Sequence, residues 1–340
     1  RFRADLEGIG FKFNPYDSCV ANRTVRGKQH TVRFHVDDLM SSHVNPKVND
    51  HFAVWLNKTY GTYGEVKCIR GKRHDYLGMV FDFTIPGYCT IDMSDYIIAM
   101  CDDFVADYGK ALGRAKTPAP ADLLERGKSE SLDKNLADLF HKYVMKGMYA
   151  CKRGRPDIHT AVAILCTRVK DPNMDDWRKF LQMMNYLNVT RQDKLYLSVD
   201  DITVIKWHVD ASFAVHPDFR SHTGGTMTMG TGCTTTTSRK QKINTTSSTE
   251  AELVGAHDML SPILWTRLFI EAQGYTVNQN ILYQDNKSTI LLAENGKRSS
   301  SQRTRHFNIR YFFITDQIEQ GKIEVNYCPT ESMTADYMSK

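Results

Sequence analysis

Apolar and polar positions along the first hundred residues predict two hairpins and two helices. Runs with strand character cover 19–25 and 29–36, the second being the β-branched stretch Thr31-Val32-Arg33-Phe34-His35-Val36. Arg26-Gly27-Lys28 joins them where a hairpin places its turn. Asp37-Asp38 follows directly, before the apolar pattern resumes at Leu39-Met40. Residues 46–60 carry Val48, Phe52, Val54, Trp55 and Leu56 on one side, which predicts a helix. A second hairpin-like unit runs from 76 to 91 and is expected to turn at Pro86-Gly87. Over 94–108, Tyr96, Ile97, Met100, Phe104 and Val105 repeat at the helical period.

Beyond this the pattern changes twice. From about 114 to 131, Lys, Thr, Pro, Ala and Gly dominate, with Thr117-Pro118-Ala119-Pro120 at the centre, and a linker or long surface loop is expected. Residues 132–170 and 172–189 read as helical, interrupted at Gly154-Arg155-Pro156-Asp157. A strand over 202–213 then leads into Gly- and Thr-rich hairpins between 224 and 238. A long helix from about 248, a strand at 280–284, a helix at 286–294, a strand at 322–328 and a terminal helix follow. The fold class predicted is α/β, in three units: 1–113, 114–201 and 202–340.

Composition narrows the picture little. The chain has 340 residues, 41% hydrophobic and 24% charged, values of a globular protein rather than a disordered, collagen-like or coiled-coil one. No window approaches the ~18 uninterrupted apolar residues of a membrane-spanning helix. The net charge of +5 permits a polyanionic partner without demanding one. Eight scattered cysteines without a CxxC pair suggest reduced thiols rather than a disulfide framework or zinc site. With Arg1 first and no leader-like segment, the chain is expected to be a fragment of something longer.

Four acidic positions carry the strongest chemical signal. Asp210 lies in the middle of the apolar strand Trp207-His208-Val209-Asp210-Ala211-Ser212, where a carboxylate is costly unless a cation or hydrogen bonds offset it. Glu252 stands near the start of the long helix. Asp285 sits at the carboxyl end of a strand, where open α/β sheets bind ligands. Asp336 opens the final helical turn. Carboxylates are Mg²⁺ ligands, and two such ions ~3.5–4 Å apart clamp a phosphodiester. Helix N-capping is the competing reading for Asp285 and Asp336. In Ser247-Ser248-Thr249-Glu250, Ser247 fits an N-cap with Glu250 reaching back to its backbone N–H, so Glu250 is expected to be structural.

Residues 204–340 resemble the ribonuclease H domain of copia-type LTR retrotransposons. The resemblance rests on Val209-Asp210-Ala211-Ser212, Arg220-Ser221-His222-Thr223-Gly224-Gly225, Ser238-Arg239-Lys240-Gln241, Ser247 to Glu252, Asp285-Asn286-Lys287-Ser288, Arg303-Thr304-Arg305-His306 and Ala335-Asp336. It implies a domain with a mixed five-stranded sheet that cuts the RNA strand of RNA–DNA hybrids. Asp210, Glu252, Asp285 and Asp336 would hold two Mg²⁺ ions, with Mn²⁺ an alternative occupant.

The front of the chain resembles the reverse transcriptase of the same elements. Phe34-His35-Val36-Asp37-Asp38 sits where the palm carries aromatic-x-Asp-Asp, Tyr76-Leu77-Gly78-Met79 follows as the next palm hairpin, and Gly154-Arg155-Pro156-Asp157-Ile158 matches a later helical element. Asp37 and Asp38 are thereby implied as polymerase metal ligands. His35 replaces the usual aromatic, and the third palm carboxylate finds no counterpart upstream, so polymerisation is expected only from a longer chain. Substrate contacts are expected from Arg239, Lys240, Arg303, Arg305 and His306, basic groups near the tetrad in sequence.

The expected partners are an RNA–DNA hybrid and a nucleic-acid template-primer, with no membrane. A second copy of the chain or the rest of the polyprotein is a further expected partner. The expected location is the cytoplasm, within a virus-like particle, or the nucleus. A non-catalytic nucleic-acid-binding or structural module derived from a retroelement is the alternative function.

Overall fold

The computed structural model describes residues 1–296 and 308–340. Arg303, Arg305 and His306 lie outside them. The chain begins with helix α1 (Phe2–Gly8) and an antiparallel sheet of β1 (Lys12–Asn14), β2 (Asp17–Val25), β3 (Lys28–His35) and β4 (Asp38–Ser42), in that spatial order. Arg26 and Gly27 both take positive φ, the backbone that a two-residue hairpin turn between β2 and β3 requires. Helix α2 (Pro46–Tyr60) starts at the side-chain cap Asn45 with proline in its first turn. Leu6, Phe11, Ala21, Val32, Phe52 and Leu56 form the core beneath this sheet.

A second antiparallel sheet takes β5 (Arg73–Tyr76), β6 (Met79–Asp82), β7 (Cys89–Asp92) and β8 (Leu195–Leu197), again in that order. Its tight turn is Leu77-Gly78, not Pro86-Gly87, because Leu77 and Gly78 hold the two positive φ values of such a turn. Pro86-Gly87 instead lies in the longer β6–β7 connection. Helices α3 (Ser94–Tyr108), α4 (Lys134–Cys151), α5 (His159–Cys166) and α6 (Met174–Val189) share one core built on Phe104, Phe140, Tyr143, Phe180 and Leu187. With β8 returning to β7, residues on both sides of the expected 113/114 boundary thus share a sheet and a core. The break between α4 and α5 is held by Arg155. Its buried guanidinium donates to Asp157 at 2.7 Å and to the Thr190 carbonyl at 2.9 Å.

The Pro- and Lys-rich segment from 114 to 131 forms no helix or long strand, yet it is tied down along α6. Gln182 donates to Thr117 at 3.1 Å and Asp175 accepts from the Gly127 N–H at 2.9 Å. The buried Lys179 ammonium donates to the Glu125 carbonyl at 2.6 Å and pairs with Asp175 at 2.8 Å. It is a strap on the helical core rather than a free linker.

The last unit is the mixed five-stranded sheet that the resemblance implies, in the order β11-β10-β9-β12-β13. It comprises β9 (Val204–Ser212), β10 (His222–Thr228), β11 (Thr235–Lys240), β12 (Gln279–Gln284) and β13 (Glu324–Tyr327). β12 runs parallel to β9 and β13, while β10 and β11 are antiparallel neighbours. The long helix α7 (Ser248–Ala272) lies on one face, its Met259, Leu260 and Ile263 sharing a core with Trp207, Val209 and Leu282 of the sheet. α8 (Lys287–Asn295) and α9 (Asn308–Glu319) follow; the pattern of the sequence does not single out α9. The short α10 (Asp336–Ser339) packs on the opposite face, close against the backbone of β10 at Gly224. α5 reaches this face too: His159 Nδ1 lies 2.8 Å from Thr236 Oγ1, and Thr160 donates to the Tyr337 carbonyl at 2.8 Å.

Candidate active site

Three carboxylates converge from three elements. Asp210 projects from β9 opposite Gly224 of β10, Glu252 from the start of α7, and Asp285 from the residue after β12. One oxygen from each lies within 4.8 Å of the others. Asp210 and Glu252 are buried, whereas Asp285 is half-buried and opens the group to solvent. The local sequence explains the convergence. Ser247 caps α7 through its hydroxyl, which accepts the Glu250 N–H at 3.2 Å, and this fixes where the first turn starts. One helical turn later Glu252 reaches back to β9, its Oε1 accepting the Ala211 N–H at 3.1 Å.

Burial raises the Glu252 pKa to about 9, with the Asp210 charge adding to it; the Ala211 N–H and the Gln284 amide pull the other way. Burial also raises Asp210, held back by the Ser339 hydroxyl and the Lys340 ammonium and pushed further by Asp285 and Asp336. A cation among these oxygens would relieve both burial and mutual repulsion. Hard carboxylate oxygens at this spacing suit a divalent metal ion. Among the described residues, this is the one group of three or more His, Cys, Asp or Glu side chains so arranged.

Asp336 stands beside the group rather than within it. Its carboxylate is paired with the Lys340 ammonium, and its charge is felt at Asp210. Helix capping accounts for neither Asp285 nor Asp336. Asn286 caps α8 by accepting the Ser288 and Thr289 N–H groups at 3.0 and 3.1 Å, and Asp336 is already inside α10.

Several supporting residues escape a reading of the sequence. Gln284 is almost fully buried; its amide donates to Glu252 at 3.2 Å while its oxygen accepts the Asp285 N–H at 2.9 Å. It therefore ties two of the three carboxylate-bearing residues together. Its only advance signal is a polar side chain continuing an apolar strand. Thr330 donates to Asp285 at 2.9 Å, and Ser339 donates to Asp210. Glu250 behaves structurally, with one correction. Its Oε2 accepts from the backbone N–H of Thr246 at 2.5 Å and from the Thr246 hydroxyl at 2.8 Å, not from the N-cap Ser247 N–H.

The other expected site residues lie elsewhere. Arg239 and Lys240 sit on β11, two strands from Asp210, and are ion-paired with Asp258 at 3.4 Å and Asp218 at 2.6 Å. Asp37 and Asp38 stand exposed at the β3–β4 hairpin, with Val36 at the turn taking a positive φ. Asp38 accepts the Leu77 N–H at 3.0 Å, and no third metal-ligating side chain joins the pair among the described residues.

The raised Glu252 pKa has a measurable consequence when a chelator keeps metal away. Folding retains a proton that the unfolded chain releases above its ordinary value of 4.5. Stability is therefore full below that value and lost as pH rises through the window up to about 9. The melting temperature of chelated protein should fall across this window. Glu252→Gln should flatten that fall, and an unchanged pH dependence would refute the burial of the carboxylate.

No known protein-family profile matches the chain. It is 29% identical over 57% of its length to a "Retrovirus-related Pol polyprotein from transposon TNT 1-94" of Nicotiana tabacum, covering 14% of that protein. It is 27% identical over 55% of its length to the corresponding polyprotein from transposon RE2 of Arabidopsis thaliana, covering 13% of it. A putative transposon Ty5-1 protein of Saccharomyces cerevisiae is 25% identical over 76% of the chain and 82% of its own length. The chain thus spans only about a seventh of the plant polyproteins it matches. Its homologues are thus retrovirus-related Pol polyproteins from copia-type transposons.

Proposed function

We propose that this part of a retrotransposon polyprotein hydrolyses the RNA strand of an RNA–DNA hybrid in a Mg²⁺-dependent reaction. The observation that carries the reading is the meeting of Asp210, Glu252 and Asp285 within 4.8 Å at the carboxyl ends of the parallel inner strands β9 and β12. Two bound Mg²⁺ ions would supply Lewis-acid activation of water and charge stabilisation at the leaving oxygen. Asp210, Glu252 and Asp285 would be the first ligands, with Asp336, whose charge is felt at Asp210, the candidate fourth.

The chain's own contribution is preorganisation. The Ala211 N–H and the Gln284 amide hold the two oxygens of Glu252, and Thr330 orients Asp285. Ser339 fixes the Asp210 carboxylate from the last helix. Carboxylates held this way need little rearrangement when charge develops on a phosphodiester.

The test is cleavage of an end-labelled RNA–DNA hybrid by the full chain with Mg²⁺, beside double-stranded RNA as control. Cutting of the hybrid alone is expected, and Asp285→Asn should abolish it. Full activity in that variant would overturn the assignment. Tight binding of the hybrid without any cutting by the unaltered chain would point instead to a nucleic-acid-binding module.

A further inference from the structure

The three carboxylates of the cluster are not held alike. Among the described residues, Asp210 and Asp285 each accept from a side-chain hydroxyl, that of Ser339 and that of Thr330, and a hydroxyl rotates to suit its partner. Glu252 instead has an N–H donor on each oxygen. The Ala211 backbone meets Oε1 at 3.1 Å and the Gln284 amide meets Oε2 at 3.2 Å. A carboxylate offers about four lone-pair positions, so each Glu252 oxygen keeps room for a cation while the plane of the group is fixed.

Gln284 is itself fixed at every other point. Its Oε1 accepts the Asp285 N–H at 2.9 Å and the Asn286 N–H at 3.3 Å. Its backbone carbonyl accepts the Cys328 N–H at 3.0 Å, which clamps the end of β12 to the chain leaving β13. These partners settle which way round the amide lies. A flip would set its oxygen against the Glu252 carboxylate and its NH2 against two N–H donors. The side chain is 1% exposed, so water does not compete for either end. The amide is therefore a strut between the Glu252 carboxylate and the backbone that carries Asp285.

Such a strut acts on a metal through the size of the ion. Mg²⁺ demands near-octahedral geometry at ~2.0–2.1 Å, whereas Ca²⁺ accepts irregular sets of oxygens at ~2.3–2.6 Å. Oxygens that can spread serve the larger ion, and oxygens held in place favour the smaller. We propose that Gln284 is a positioning residue that makes the cluster discriminate Mg²⁺ from Ca²⁺, by fixing the Glu252 carboxylate relative to Asp285. The inference rests on the reading of the cluster as a Mg²⁺ site, and not on which nucleic acid is cut there.

The experiment uses the full chain, first chelated and then titrated with MgCl2 or CaCl2 at constant ionic strength. The midpoint of the rise in melting temperature reports the apparent affinity for each ion. Gln284→Asn keeps an amide but is too short to span both partners; Gln284→Met keeps the length and removes both polar ends. In each variant the Mg²⁺ midpoint should rise ~10–100-fold, the range for losing a group that holds a metal ligand. The Ca²⁺ midpoint should move far less, so the preference for Mg²⁺ narrows. If the chelated variants melt lower but neither midpoint moves, Gln284 is only structural and the proposal is overturned. If both midpoints rise equally, Gln284 supports affinity without selecting the ion, and the discrimination is overturned. Should Gln284→Met fail to fold with two backbone N–H groups left unpaired, Gln284→Asn, which can still satisfy one end, carries the test. An unaltered chain that Mg²⁺ does not stabilise removes the metal reading and this inference with it. A chain that binds and discriminates the ions as expected but never cuts a hybrid removes the proposed cleavage and leaves the role of Gln284 standing.

Discussion

Glu252→Gln should reduce cleavage of an RNA–DNA hybrid by at least ~100-fold while leaving the protein folded, and Glu250→Gln should retain most activity. Changes merely beside a metal ligand already cost ~10–100-fold in metal affinity or activity, so replacing a ligand sets that range as a floor. The two glutamates are two residues apart, both buried, and chemically identical, so only their surroundings separate them. Glu250 spends its carboxylate on the Thr246 backbone and hydroxyl, contacts that a glutamine oxygen can also accept. Its loss should appear as stability, on the order of 0.5–2 kcal/mol as for other helix-cap contacts. Glu252 faces Asp210 and Asp285 within 4.8 Å, where a neutral amide is a poor ligand for a hard cation. Parallel cleavage assays and thermal melts of both variants separate the roles. Inactivity of Glu250→Gln with full activity of Glu252→Gln would place the functional carboxylate at 250.

This contrast also marks what a sequence can carry. Asp210 is legible because a charged residue inside Trp207-His208-Val209-Asp210-Ala211-Ser212 contradicts its own strand, and such contradictions concentrate at sites. Asp285 is legible because it ends a strand and is followed by Asn286, a better cap than itself. The order of strands and helices in the last unit, α9 excepted, likewise follows from the pattern of the sequence. What stays hidden depends on where distant backbone arrives. Ser339 meets Asp210 across more than a hundred residues, and Gln284 acquires its role only when α7 brings Glu252 beside β12. The strap at 114–131 reads as a linker or long surface loop because its contacts are backbone groups meeting single side chains on α6, which leave no periodic trace. β8 has only three residues, too short for an alternation to register, and it becomes a strand by pairing with β7.

Gly224→Ala should disable the site without touching any carboxylate. A Cβ at Gly224 would lie 2.4 Å from the Ala335 carbonyl oxygen, 2.7 Å from the Ser339 nitrogen and 2.8 Å from the Met338 carbonyl carbon. All three are backbone atoms of α10 or the residue before it, so no rotamer change can clear them. Either α10 lifts from the sheet or β10 bends away from it. Lifting α10 withdraws the Ser339 hydroxyl from Asp210 and moves Asp336 with it, because both ride on this short helix. Forced insertion of one methyl into packed structure costs ~1–3 kcal/mol. Cleavage should fall at least ~10-fold, because displacing a supporting group near metal ligands is felt on that scale.

The neighbouring glycine supplies the control. A Cβ at Gly225 points to the other face and meets the Met259 side chain, with its terminal methyl at 2.7 Å and sulfur at 3.1 Å. Methionine has a flexible, unbranched end that can swing aside, so Gly225→Ala should cost less stability and keep most activity. Thermal melts, hybrid cleavage and Mg²⁺ titration of both variants decide the matter. If Gly224→Ala behaves like the unaltered chain, α10 does not hold Asp210 in place, and the last helix loses its part in the site.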